Sequence, residues 1–117
     1  MFDYGNTLLE RGGYANLTAE ERASVDIEAM VELRRIRSCL MAETDKYAVS
    51  DFPMSDASRA SMVVYRQALR ELPNTQSPMF EDDGGLVLQN VTYPSHELIT
   101  SEIMGKYMPF QIANIPE

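Results

Sequence analysis

The sequence predicts a mainly α protein, an antiparallel helical hairpin with a small C-terminal β or irregular segment and extended terminal arms. Two stretches carry apolar residues at helical spacing between capping and stop signals. The break between them, "ETDKYAVSDFPMSD", contains Pro53, which disfavours helix at Phe52. Residues that favour strands are confined to one short run after Asp83-Gly84-Gly85. Three segments follow: an arm over 1–16, a helical-hairpin body over 17–94, and a short helix with an extended apolar tail over 95–117.

The arm is short and mixed in character. Gly5, Gly12 and Gly13 interrupt regular structure, so an extended arm or loop is expected.

The first long helix begins at Leu17-Thr18. Thr18 can cap it, and Glu21, three positions on, completes a capping box. Val25, Ala29, Leu33, Ile36 and Leu40 then recur at steps of four and three, one apolar stripe along a helix. Ile27, Met30 and Val31 widen the stripe, so contacts on more than one side are expected. Glu20, Glu21, Asp26 and Glu28 precede Arg34, Arg35 and Arg37, an order that complements the helix dipole. Glu32 can pair with Arg35 or Arg37.

The second helix occupies "SDASRASMVVYRQALRELPNT". Ser55 or Asp56 supplies the N-cap. Met62, Tyr65, Leu69 and Leu72 form its stripe, while Arg59, Arg66 and Arg70 fall on another side. Pro73 is expected to end it. A connection of about a dozen residues lets the two helices pack antiparallel.

The last third changes character. Leu86, Val87, Leu88 and Val91 favour one strand, or half of a short hairpin. "SHELITSEIMG" suits a short helix capped by Ser95 and stopped at Gly105. In "KYMPFQIANIPE", Pro109 and Pro116 surround Phe110, Ile112 and Ile115, which argues for an extended apolar tail.

Composition narrows the function classes. At 117 residues the chain suits one domain with one modest core. A net charge of −8 opposes a phosphate-binding surface, so no nucleic acid is expected as partner. No window approaches the roughly 20 apolar residues that span a bilayer, so no membrane is expected either. With Cys39 the single cysteine and no signal-peptide pattern, a reducing cytoplasm fits.

Chemistry is sparse. His96 is the sole histidine, so no multi-histidine metal site or histidine-rich triad can be assembled. Cys39 beside Leu40 and Met41 reads as a small hydrophobe. Glu81-Asp82-Asp83 lacks the spacing of a calcium loop and reads as a solvated turn. No catalytic residue, cofactor or metal is expected, and the chain is not expected to be an enzyme. Eight methionines and apolar termini point to contact with another protein or with copies of the chain itself.

From Arg34 to Pro94 the sequence resembles the phage tail fibre assembly chaperones, the phage tail assembly chaperone-like domain family. The resemblance rests on an Arg-bearing helix leading into "LMAETD", then "SDFPMS", "YRQALRELP", a later "SP" and a closing "TYP". Tyr65 to Pro73 is its most specific part. Family members commonly carry tryptophans where this chain holds Lys46-Tyr47, Met62 and Tyr93.

The resemblance implies an accessory protein that binds the C-terminal region of a trimeric tail fibre protein and assists its folding or trimerisation. Such fibres are dominated by non-local contacts and fold slowly, exposing apolar surface meanwhile. It implies residence in the host cytoplasm during assembly, and allows retention at the fibre tip in the virion tail. Self-association is a further expectation, as is a trimer formed with the fibre. Candidate partner-binding residues are Tyr65, Arg66, Arg70, Leu72, Pro73, Tyr93, Phe110 and Ile112. Two readings compete for the central block. Tyr65 and Arg66 are types enriched at interface hot spots, yet Tyr65, Leu69 and Leu72 can equally close the hairpin, with Arg66 and Arg70 solvated. The alternative functional reading is a permanent virion component, a tail or baseplate adaptor or fibre-tip protein.

Overall fold

A computed structural model describes residues 4–49, 51–80, 88–89 and 91–107. Its elements, in chain order, are α1 (Tyr4–Arg11), α2 (Ala19–Thr44), α3 (Asp56–Thr75), β1 (Met79–Phe80), β2 (Leu88–Gln89) and α4 (Ser101–Tyr107). A 3₁₀ turn, Tyr14–Asn16, precedes α2, and another, Asp45–Ala48, follows it. The protein is mainly helical, and its two long helices pack together.

The N-terminal arm departs from expectation: Tyr4–Arg11 is helical, and Leu8 is fully buried. Gly5 lies inside this helix, and Gly12 and Gly13 form its stop. Gly13 N–H donates to the Leu8 carbonyl at 2.9 Å and Gly12 N–H to the Leu9 carbonyl at 3.3 Å, the paired bonds of a Schellman ending. Gly12 sits at φ +77°, where a side chain is strained. The arm is then pinned to the start of α2. Arg11 pairs with Glu21 at 3.2 Å, and Tyr14 Oη donates to Asp26 at 2.9 Å. Arg22 lies over the Tyr14 ring and donates to the Tyr14 and Ala15 carbonyls.

The start of α2 is the capping box the sequence predicts. Glu21 N–H donates to Thr18 Oγ1 at 3.1 Å, and Thr18 N–H to Glu21 Oε1 at 3.0 Å. Val25, Ala29, Leu33, Ile36 and Leu40 are buried as one stripe, which Thr44 continues. Each such leucine contributes roughly 1.5–3 kcal/mol through removal from water. Of the widening residues, Met30 packs at the core's edge, whereas Ile27 and Val31 stay exposed.

Ser55 caps α3, its Oγ accepting the Ser58 N–H at 3.1 Å. Met62, Tyr65, Leu69 and Leu72 are buried against α2 and its surroundings. The helix runs two residues past Pro73. Proline has no N–H for the Leu69 carbonyl, but in the last turn one lost bond is tolerated, and Gln76 N–H closes on the Leu72 carbonyl at 3.1 Å.

The small β element is an antiparallel pair, Met79 opposite Gln89 and Phe80 opposite Leu88. Phe80 and Leu88 are buried, and β1 lies against α2. The turn expected at Asp83-Gly84-Gly85 and the strand residues Leu86 and Val87 lie outside the described residues, as does the tail expected beyond Tyr107.

The short helix starts later than its sequence suggests. His96 Nδ1 captures the Leu98 N–H at 3.0 Å, which holds that stretch as a turn. Thr100 Oγ1 then accepts from Ile103 N–H, and α4 continues through Gly105 to Tyr107. Tyr107 Oη donates to Glu43 at 2.6 Å, while Arg35 donates to the Tyr107 carbonyl at 3.0 Å, fastening α4 to α2. Leu8 from the arm and Ile99 and Met104 from the C-terminal segment share the core cluster of the helical pair.

Candidate functional site

The block Tyr65 to Pro73 divides between core, clamp and surface. Tyr65 and Leu72 are buried and Pro73 is half-buried in the last turn of α3. Arg66 turns inward over the C-terminal end of α2. It donates to the Met41 carbonyl at 3.1 Å and to Thr44 Oγ1 at 2.7 Å, and pairs with Asp45 at 3.0 Å. The last turn of α2 carries no basic side chain of its own, so α3 supplies the cation that the negative end of the dipole favours. Arg59 works similarly on the connection, donating to the Val49 and Phe52 carbonyls. Arg70 is exposed and donates to Gln67 Oε1 at 3.3 Å. Tyr93 is buried; Phe110 and Ile112 lie outside the described residues.

Tyr47, Met62 and Tyr93 are all buried. Tyr47 also meets Phe52 edge-to-face, with ring centroids 4.9 Å apart. All three side chains belong to the core cluster.

Among the described residues, large apolar side chains stand exposed on both long helices, and Leu9 and Val49 do so outside them. On α3, Val63 is 63% and Val64 69% exposed; on α2, Ile27 is 66% and Val31 50% exposed. Val63 and Val64 point about 100° apart around α3 and border different grooves. One groove, of about 330 Å³, is lined by Tyr47, Met62 and Val63 with Arg59, Arg66 and Arg70. The other, open and of about 780 Å³, lies between Val64 and the Pro94–Glu97 segment, with Ser58 and Ser61 on its wall. The two valines thus form a ridge between a cationic groove and a polar one.

The polar groove contains the sole histidine. His96 Nδ1 accepts the Leu98 N–H, so Nε2 carries the ring proton and faces Ser61 Oγ at 2.9 Å. In that tautomer the ring is a donor toward Ser61 and cannot take its proton, as a nucleophile's base must. Ser58 Oγ donates to Glu97 at 2.9 Å, which leaves that carboxylate beside Ser58 and gives it no bond to the imidazole. These bonds tie the Pro94–Glu97 segment to α3. Among the described residues no group of three or more His, Cys, Asp or Glu stands where it could hold a metal ion.

Two buried hydroxyls, on Tyr65 and Tyr93, have no hydrogen-bond partner among the described residues. Burial pushes the Tyr65 phenol up to about 12 and raises that of Tyr93 as well. Both rings act as apolar mass in the core.

The sequence stripe names the core of α3 but passes over Val63 and Val64. The signal was available, because both fall off the spacing of Met62, Tyr65, Leu69 and Leu72 while being strongly apolar. The Arg66 clamp was missed because it depends on where α2 ends.

No helix among the described residues is long and apolar enough to cross a membrane. No curated protein and no solved structure matches the chain. A family model described as phage tail assembly chaperone protein matches residues 30–96, more than half of the sequence. That span takes in the clamp, the valine ridge, the cationic groove and all of the other groove's lining except Glu97. The chain belongs to the phage tail assembly chaperone protein family.

Proposed function

We propose that the protein is a tail fibre assembly chaperone that binds the C-terminal region of a trimeric fibre protein and assists its folding or trimerisation. Family membership gives it a part in phage tail assembly and a phage tail protein as partner. The fibre, its C-terminal region and the trimer are the finer reading. The supporting observation is the apolar ridge. Val63 and Val64 stand exposed on a helix that Arg59 and Arg66 anchor to its neighbours. A rigid helix holding large apolar side chains in water is suited to covering another chain's apolar surface. The mechanism is binding alone, without cofactor or chemical step, in the host cytoplasm during assembly.

Co-expression tests this. A fibre gene expressed with the protein should yield soluble trimer, and expressed alone should yield aggregate. Equal trimer in both cases would sink the proposal. Val63→Ser combined with Val64→Ser should abolish the assistance while leaving thermal stability within about 0.5 kcal/mol, as for other surface substitutions.

A further inference from the structure

We infer that the groove beside Val63 receives an acidic segment of the partner protein, with an apolar side chain over Met62 and Val63 and a carboxylate on Arg70. The inference rests on the proposed chaperone role and names the chemistry of what is bound. The argument is one of charge. The chain carries a formal charge of −8, so most of its surface repels acidic peptides. This groove is the reverse: Arg59, Arg66 and Arg70 line it, and no described carboxylate does.

The three arginines and Val63 follow one another at steps of four, three and four along α3, which places them in a row. Arg66 already has Asp45, and Arg59 is held by the Val49 and Phe52 carbonyls. Arg70 differs: its side chain is exposed and bonded to a neutral amide, that of Gln67. Its planar fork suits a carboxylate bidentately. Beside it, Met62 forms a buried floor and Val63 an exposed apolar wall. Acidic groups alone would leave that wall wet, and an apolar segment alone would leave the guanidinium unused. A segment carrying both satisfies the groove.

Two binding measurements on the full-length protein test this. The first uses the C-terminal region of the fibre protein. The second uses a fluorescein-labelled peptide of alternating Glu and Leu, with a Lys–Leu peptide as its counterpart. The wild type should bind the fibre region and the Glu–Leu peptide but not the Lys–Leu peptide, more weakly as salt rises. Arg70→Glu and Val63→Asp should each weaken both interactions about tenfold, Arg70→Gln should do so less, and Ile27→Asp should leave them unchanged. Circular dichroism establishes that each variant is folded.

If the fibre region binds but is indifferent to Arg70→Glu and Val63→Asp, the groove is wrong while the chaperone role stands. If the fibre region does not bind while the Glu–Leu peptide does, with the same variant pattern, the groove's chemistry holds and the fibre assignment fails. Displacement of the peptide by a single-stranded DNA oligonucleotide, or dimerisation that Arg70→Glu abolishes, would overturn the assignment of a protein partner's acidic segment.

Discussion

Arg66 of α3 donates to Thr44 Oγ1 at 2.7 Å and so closes the C-terminal end of α2 from the neighbouring helix. Thr44 Oγ1 in turn donates to the Leu40 and Met41 carbonyls, both at 3.0 Å. At the end of α2 the Leu40 and Met41 carbonyls thus gain a hydroxyl donor, and the Met41 carbonyl a guanidinium as well.

Arg66→Leu should therefore lower stability by about 1.5–3 kcal/mol, the range for hydrogen bonds to a charged group in a partly buried site. Arg66→Lys should recover only part of the loss, because an ammonium cannot span the carbonyl, the hydroxyl and Asp45 together. Urea denaturation measures both. Equal stability of all three proteins would show the clamp to be idle.

The capping box should make the start of α2 acid-sensitive. Glu21 is held below its ordinary value first by the Thr18 backbone N–H, then by Arg11. A lowered carboxyl contributes stability above its unfolded value, near 4.5, and loses it as pH falls through the lower folded value. Glu21→Gln should flatten stability against pH in that window, and Thr18→Ala should cost about 1 kcal/mol at neutral pH. Thermal melts between pH 3 and 7 would check this.

Gly12→Ala should destabilise by about 1 kcal/mol or more, since the residue stands at φ +77°. An added Cβ would also meet Asn16 Nδ2 at 3.3 Å. A substitution with no effect would mean that the α1 stop is not formed in solution.

Tyr65→Phe should be neutral or stabilising by up to about 1 kcal/mol, because it removes a buried hydroxyl that has no partner among the described residues. The wild-type phenol rises from 10 to about 12 by burial. Its contribution is therefore intact below pH 10 and lost as pH climbs through 12. Alkaline unfolding of Tyr65→Phe should begin at higher pH than that of the wild type, as followed by circular dichroism.

Much of the helical pair was legible because local signals and tertiary burial agreed. The Thr18–Glu21 box and the stripe from Val25 to Leu40 needed no partner to be recognised. The exceptions are physical. Gly12-Gly13 reads as a breaker until the hydrogen bonds to Leu8 and Leu9 reveal a helix end. Ser95 looks like a cap, but the His96 ring takes the Leu98 N–H and delays the helix to Ser101. Arg66 and Arg70 are alike in sequence, yet only Arg66 reaches the end of α2, a distinction set by helix pairing.

The shared core has a practical consequence for anyone dissecting the molecule. The matched region opens at Met30, partway along α2. A fragment cut there would discard the cap, Val25 and Ala29, together with Leu8, Leu17, Ile99 and Met104. Boundaries drawn from kinship would thus produce a truncated, greasy helix stub, and trimming for expression should spare everything from Tyr4 to Tyr107.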